Sequence, residues 1–280
     1  MNDAIQYVSC ANASIAYVDR PARVPAAGRP TLVFLHGGAL DHRMWGPQLA
    51  AFAEHRCLAL DARGHGWTQA PDGQPFRYGD DVVALLDALD IEKAVLVGVS
   101  MGGSTAVDVV LEHPDRALAL VVSGAGTSEP EFRDPWVLDV LGAWQRSSEA
   151  LDPEGWISAF MRFVAGPQRA LSEVDPGVTS GIERMARHTL STHIVREDGP
   201  VIPTPATPVS NTWQRLAGID LPVLGVSGSL DAEDHQRMVV ELATAVPRGE
   251  VHQIAGAAHY PNMERPDEFN KILLELVGKL

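Results

Sequence analysis

The chain has 280 residues, 45% of them apolar and 21% charged, with a formal net charge of −14. This is the profile of a globular protein with a core large enough for one domain and an insertion. The negative charge repels nucleic acid and anionic lipid, so neither is expected as a partner. It leaves the substrate open, because charge on a distant surface need not reach an active site. Two cysteines, Cys10 and Cys57, stand in no CxxC or Cys/His cluster, which predicts buried thiols in a reducing compartment. Met1-Asn2-Asp3-Ala4 lacks the basic and apolar regions of a signal peptide, and no apolar run approaches the roughly 20 residues of a bilayer span. A cytoplasmic protein without membrane contact is the expectation.

In chain order, residues 5–10 and 14–19 flank Ala11-Asn12-Ala13 and read as a hairpin, followed by a Pro/Ala/Gly loop over 21–30. The pattern then changes to continuous apolar runs, which suit strands buried on both faces. Thr31-Leu32-Val33-Phe34-Leu35 ends in His36-Gly37-Gly38, and Cys57-Leu58-Ala59-Leu60 ends in Asp61-Ala62-Arg63-Gly64-His65-Gly66. Ala94-Val95-Leu96-Val97 ends at Gly98-Val99-Ser100-Met101-Gly102, and Leu118-Ala119-Leu120-Val121-Val122 ends in Ser123-Gly124-Ala125-Gly126. Residues 222–226 end in Ser227-Gly228-Ser229-Leu230-Asp231, and residues 251–254 lead to Gly256-Ala257-Ala258-His259. Helical spacing fills the gaps: Val82, Val83, Leu85, Leu86 and Leu89 share a face, as do Phe269, Ile272, Leu273, Leu276, Val277 and Leu280. Alternating strands and helices predict an α/β fold with a mostly parallel central sheet covered by helices on both faces. Ligands of such sheets bind at the carboxyl ends of the strands, where every one of these motifs falls.

Residues 127–217 break the alternation. They carry Trp136, Trp144, Trp156 and Trp213 and a proline-rich stretch over 200–208 that reads as extended loop. The expected organisation is a core over 1–126, a helical lid insertion over 127–217 and the rest of the core over 218–280.

Gly98-Val99-Ser100-Met101-Gly102 fits the GxSxG nucleophile elbow, a sharp strand-to-helix turn that exposes a serine hydroxyl. Residues two before and two after the serine crowd each other, so glycine is needed at both positions. A serine hydroxyl needs a base to take its proton, and in this architecture the chain order is serine, acid, histidine. Of the 10 histidines, His259 alone follows the last strand in a loop before the final helix. As base it must be neutral, which predicts an acid limb near pH 6 to 7 (about the ordinary histidine value). His235 precedes a helix near the acid and His65 sits in a turn; neither is assigned chemistry. Asp231 is the expected acid, with Asp234 as fallback and cap of the next helix. Asp61 precedes the serine in the chain and is expected to stabilise its loop together with Arg63. Backbone N–H groups of Met101 and of Gly38 (or Ala39) are the expected oxyanion donors.

These motifs resemble the α/β-hydrolase superfamily in its lidded, cofactor-free serine branch, over nearly everything except the lid. The branch is similar to enol-lactonases, carboxylesterases, cofactor-free haloperoxidases and carbon–carbon bond hydrolases. The resemblance implies cleavage of a carboxylic ester or lactone of largely apolar acyl character through a Ser100 acyl-enzyme, with no cofactor and no metal. Carbon–carbon bond hydrolysis of a ring-cleavage product, a lyase and a ligand receptor are the alternatives. Serine at position 100 departs from dehalogenases and epoxide hydrolases of this fold, which carry aspartate there. A metal-dependent lactonase would need histidines where Gly37 and Ala39 stand.

Overall fold

A computed structural model describes residues 4–24, 28–70, 73–196, 199–200 and 204–280. Parts of the expected loops over 21–30 and 200–208 therefore lie outside the described residues. Eight strands form one sheet in the order β1-β2-β4-β3-β5-β6-β9-β10: β1 (Ile5–Cys10), β2 (Ala13–Arg20), β3 (Thr31–Leu35), β4 (Cys57–Leu60), β5 (Ala94–Val99), β6 (Ala117–Ser123), β9 (Val223–Gly228) and β10 (Gly249–Ile254). β1 and β2 pair antiparallel, β2 joins β4 antiparallel, and every later pairing is parallel. A short antiparallel pair, β7 (Val195–Arg196) and β8 (Gly199–Pro200), stands apart.

Continuous apolar strands are explained by cover on both faces. Leu32 and Phe34 of β3 belong to one core cluster, and Val33 and Leu35 to the other, as the two-residue repeat of a strand requires. The first cluster is closed by α1 (Gly46–Ala51) and by α10 (Pro266–Val277) through Phe269, Leu273 and Val277. The second is closed by α2 (Tyr78–Ala88), α3 (Met101–Glu112) and α8 (Glu233–Ala245), through Leu85, Val107 and Leu242 among others. Leu280, expected on the last helical face, is instead 49% exposed, because the helix ends at Gly278.

Between β6 and β9 lie α4 (Pro135–Glu149), α5 (Pro153–Ala165), α6 (Pro176–Thr189) and the short α7 (Thr212–Arg215). α4, α5 and α6 each begin with Asp-Pro. The aspartates Asp134, Asp152 and Asp175 accept first-turn N–H groups, and the proline occupies a position whose N–H would be unpaired in any case. Trp144, Trp156, Phe160 and Phe163 join α4 to α5 through ring contacts of 5.0–6.5 Å. α7 packs on the core side: Trp213 donates to the Glu129 carbonyl, and its ring occupies the space a side chain on Gly126 would need. Among the described residues no helix is long and apolar enough to cross a membrane.

Candidate active site

Ser100 sits between β5 and α3 with φ 54° and ψ −120°, a backbone conformation that costs a non-glycine residue about 1–3 kcal/mol. Neighbouring atoms hold it there. Its N–H donates to the Ser123 carbonyl at 2.7 Å, and its carbonyl accepts from Ser104 at 3.0 Å. A Cβ on Gly98 would fall on the Gly102 carbonyl group, and one on Gly102 would fall on the Leu35 carbonyl. The elbow therefore needs glycine at both positions for steric reasons. Met101 opens α3, so its N–H has no acceptor within the helix and points, with the positive end of the helix dipole, toward the strand ends.

The loop after β3 lies against this turn. A Cβ on Gly38 would be 4.0 Å from the Met101 Cβ, and Gly38, Ala39 and Met101 share the wall of one cavity. His36 braces the loop: its Nε2 accepts the Ala62 N–H at 2.9 Å, which leaves the proton on Nδ1, 2.8 Å from the Gly37 carbonyl. Burial pushes the His36 pKa down, in keeping with a neutral structural imidazole.

Asp231 follows β9 and is 2% exposed; His259 follows β10 and is 3% exposed. His259 Nδ1 donates to Asp231 Oδ2 at 2.9 Å, which leaves Nε2 as the acceptor. The second carboxylate oxygen is also occupied: Oδ1 accepts from the Ala232 N–H at 2.7 Å and from His235 Nδ1 at 2.9 Å. Burial alone would raise the Asp231 pKa, but the two imidazoles hold it far below the usual carboxylate range. For His259, burial is the largest influence and drives its pKa below 6.5, against the pull of Asp231. Desolvation disfavours the imidazolium, so the direction of this shift is below the expected acid limb of about pH 6 to 7. The His259 ring reaches the end of β6, where a Cβ on Gly124 would lie 2.8 Å from its Cε1. The structure joins Asp231 to His259 and seats both Ser100 and His259 on the Ser123-Gly124 turn. Among the described residues it makes no hydrogen bond between Ser100 Oγ and His259.

Other expectations resolve differently. Asp61 does stabilise its loop, accepting from the His42 N–H, His42 Nδ1 and the Trp67 N–H. Arg63, its expected companion, pairs instead with Asp81 at 2.7 and 2.8 Å. Asp234 is no cap, since the N-cap of α8 is Ala232; its carboxylate instead binds the N–H groups of Arg133 and Asp134. The role of His235 was not anticipated. Its spacing of four from Asp231, across the start of a helix, was the available signal.

A cavity of about 450 Å³ opens beside Gly38 and Met101. Its apolar wall comes from Phe76, Leu141, Trp144, Trp156 and Ile194, and His65 and Tyr78 contribute polar edges. The Arg63 guanidinium at its side is committed to Asp81 and lies 5.0 Å from the Phe76 ring centroid. Trp45 is fully buried in the core, and Trp67 packs against His42 and His188. Neither lines this cavity.

Comparison with known proteins agrees with this architecture. The chain is 27% identical, over 90% of both chains, to a 3-oxoadipate enol-lactonase of Acinetobacter baylyi. It is 27% identical to the carboxylesterase YbfK of Bacillus subtilis, over 89% of this chain and 80% of that protein. Among solved structures, an enol-lactonase from Burkholderia xenovorans superposes with a TM-score of 0.75 at 25% identity, covering 98% of this chain and 100% of the other. A model of the alpha/beta hydrolase fold family matches residues 30–266. With its elbow, its strand-end loops and its sheet order all of that kind, the chain belongs to the α/β hydrolase fold family.

Proposed function

We propose that the protein hydrolyses a carboxylic ester or lactone with Ser100 as nucleophile, His259 as general base and Asp231 as the group that orients it. The carrying observation is the buried Asp231–His259 hydrogen bond of 2.9 Å, set at the same end of the sheet as the strained Ser100 turn. In this reading His259 Nε2 takes the Ser100 proton as Oγ attacks the carbonyl. The resulting oxyanion is held by the N–H groups of Met101 and Gly38, each worth about 3–4 kcal/mol of barrier. His259 then gives the proton to the leaving oxygen, and water repeats the sequence on the acyl-enzyme. Helices α4, α5 and α6 of the segment over 127–217 serve as the lid, and the apolar wall of the cavity, which reaches the elbow at Met101, suits a largely apolar acyl group. Enol-lactonase and carboxylesterase relatives support ester and lactone substrates.

A fluorophosphonate probe and p-nitrophenyl butyrate test the assignment. Wild-type protein is expected to be labelled at Ser100, and Ser100→Ala to lose labelling and about three or more orders of magnitude in kcat. Unlabelled wild type, or an alanine variant with most of its turnover, refutes it.

A further inference from the structure

We propose that His235 is a positioning residue for this reaction: it fixes the Asp231 carboxylate by occupying the oxygen that His259 does not use, and it tunes His259 as a base. The inference rests on the Ser100 reading above. Its basis is geometric. Asp231 lies between two imidazoles, each donating from Nδ1 at 2.9 Å to a different carboxylate oxygen, with ring centroids only 4.2 Å apart. His235 is 5% exposed, in the first turns of α8. Phe132 stands edge-on to it at 6.0 Å, and Phe163 contacts both histidines at 5.7 and 5.8 Å. The His235 ring is thus held as firmly as that of the base.

Two consequences follow. Oδ1 has two donors, the Ala232 N–H and His235, so the carboxylate plane cannot rotate without breaking both bonds, and Oδ2 stays aimed at His259. One buried carboxylate also serves two rings 4.2 Å apart, and the electrostatic influence of His235 adds to burial in lowering the pKa of His259.

The other charged groups near the pair are already committed. On α8, Asp234 binds the Arg133 and Asp134 N–H groups and Arg237. Arg237 also pairs with Glu241. Beyond His259, Glu264 of α9 (Pro261–Glu264) accepts the Ala258 N–H at 2.8 Å and pairs with Arg169. Tyr260 stacks edge-on against His259, and its buried hydroxyl is held neutral by desolvation. α5 meets the pair through the Phe163 ring.

His235→Asn keeps a donor at the place of Nδ1 without the imidazole; His235→Leu, of similar size, keeps neither. With p-nitrophenyl butyrate, the leucine variant is expected to lose about 10- to 100-fold in kcat with KM little changed. The asparagine variant is expected to recover most of that loss. In both, the acid limb of kcat/KM moves to higher pH by about half a unit or more, because the His235 imidazole no longer opposes protonation of His259. Wild-type kcat with an unmoved limb in both variants reduces His235 to packing, and equal losses with an unmoved limb do the same. If the leucine variant lacks a cooperative thermal transition, the acid limb of the asparagine variant decides alone. Fluorophosphonate labelling separates the levels. Unlabelled wild type overturns the hydrolase reading together with this one, whereas labelled wild type with indifferent variants overturns only the role of His235.

Discussion

Asp231→Asn is the sharpest perturbation the site allows, because the surroundings dictate which way the new amide must face. In the wild type Oδ1 receives two donors, the Ala232 N–H at 2.7 Å and His235 at 2.9 Å, while Oδ2 receives His259. A backbone N–H cannot exchange donor for acceptor, so the asparagine oxygen must take the Oδ1 place. Its NH2 then faces His259 Nδ1, which is forced to accept, and the imidazole proton moves to Nε2. That nitrogen is the one required to take the Ser100 proton. The substitution also removes the negative charge that stabilises the imidazolium in a site that is 2% exposed. A wrong tautomer in otherwise intact geometry costs about 10⁴ in kcat, equivalent to roughly 5.5 kcal/mol of barrier. Steady-state hydrolysis of p-nitrophenyl butyrate at neutral pH, with a thermal melt to verify folding, measures it. A kcat within tenfold of wild type (about 1.4 kcal/mol) in a folded variant refutes the role of Asp231. Asp234→Asn is the control, since among the described residues that carboxylate binds the Arg133–Asp134 segment and Arg237, and its kcat should stay near wild type.

Gly124→Ala should lower kcat by about tenfold or more, because the new methyl falls 2.8 Å from His259 Cε1 and the backbone sits at φ +62°. Parallel kcat and KM measurements show whether the base alone has been displaced. The acid limb of wild-type kcat/KM should lie below pH 6.5: the active form is neutral, and burial lowers the pKa of His259, so activity survives to lower pH than for an exposed histidine. A pH profile with a limb above that value contradicts the desolvation argument. Asp81→Asn should destabilise the fold by about 3–5 kcal/mol, because Arg63 and Asp81 are each 2% exposed at the side chain and the guanidinium would be left without its counter-charge. Urea unfolding measures that loss, and a change below about 1 kcal/mol would show that Arg63 finds solvent.

Five strands are legible because burial on both faces leaves apolar runs, and β3, β4, β5, β6 and β9 coincide with such runs within two residues or so. β10, by contrast, is a largely exposed edge strand whose sequence mixes Val251 and Ile254 with polar residues. The elbow was legible because steric crowding admits only glycine at Gly98 and Gly102. The starts of α4, α5 and α6 are written as well, in Asp134-Pro135, Asp152-Pro153 and Asp175-Pro176, although the broken alternation, the tryptophans and the proline-rich stretch mark the region as an insertion without placing its helices. Partnerships across the fold were not legible. Arg63 stands two residues from Asp61, yet its guanidinium crosses to Asp81 on α2, a pairing set by how α2 packs beside the end of β4. His235 is a similar case: the sequence reads it as preceding a helix, whereas it lies in the first turn of α8, and only the position of Asp231 at the end of β9 turns it toward the carboxylate.

The Arg169–Glu264 pair ties the end of α5 to the loop after β10. Arg169 donates to the Val164 and Ala165 carbonyls at the end of α5 and pairs with Glu264, which in turn holds the Ala258 N–H next to His259. The last turn of α5 is therefore bolted to the loop that carries the base, and it cannot swing without dragging that loop along. α4 is held at its N-cap, where Asp234 accepts the Asp134 N–H, while its later turns supply Leu141, Trp144, Gln145 and Ser148 to the cavity wall. On the proposed function, remodelling of that wall, by mutation or by drift, thus disturbs less through the later turns of α4 than through the end of α5. A scaffold divided in this way acquires new specificities on one helix while Asp231 and His259 stay put.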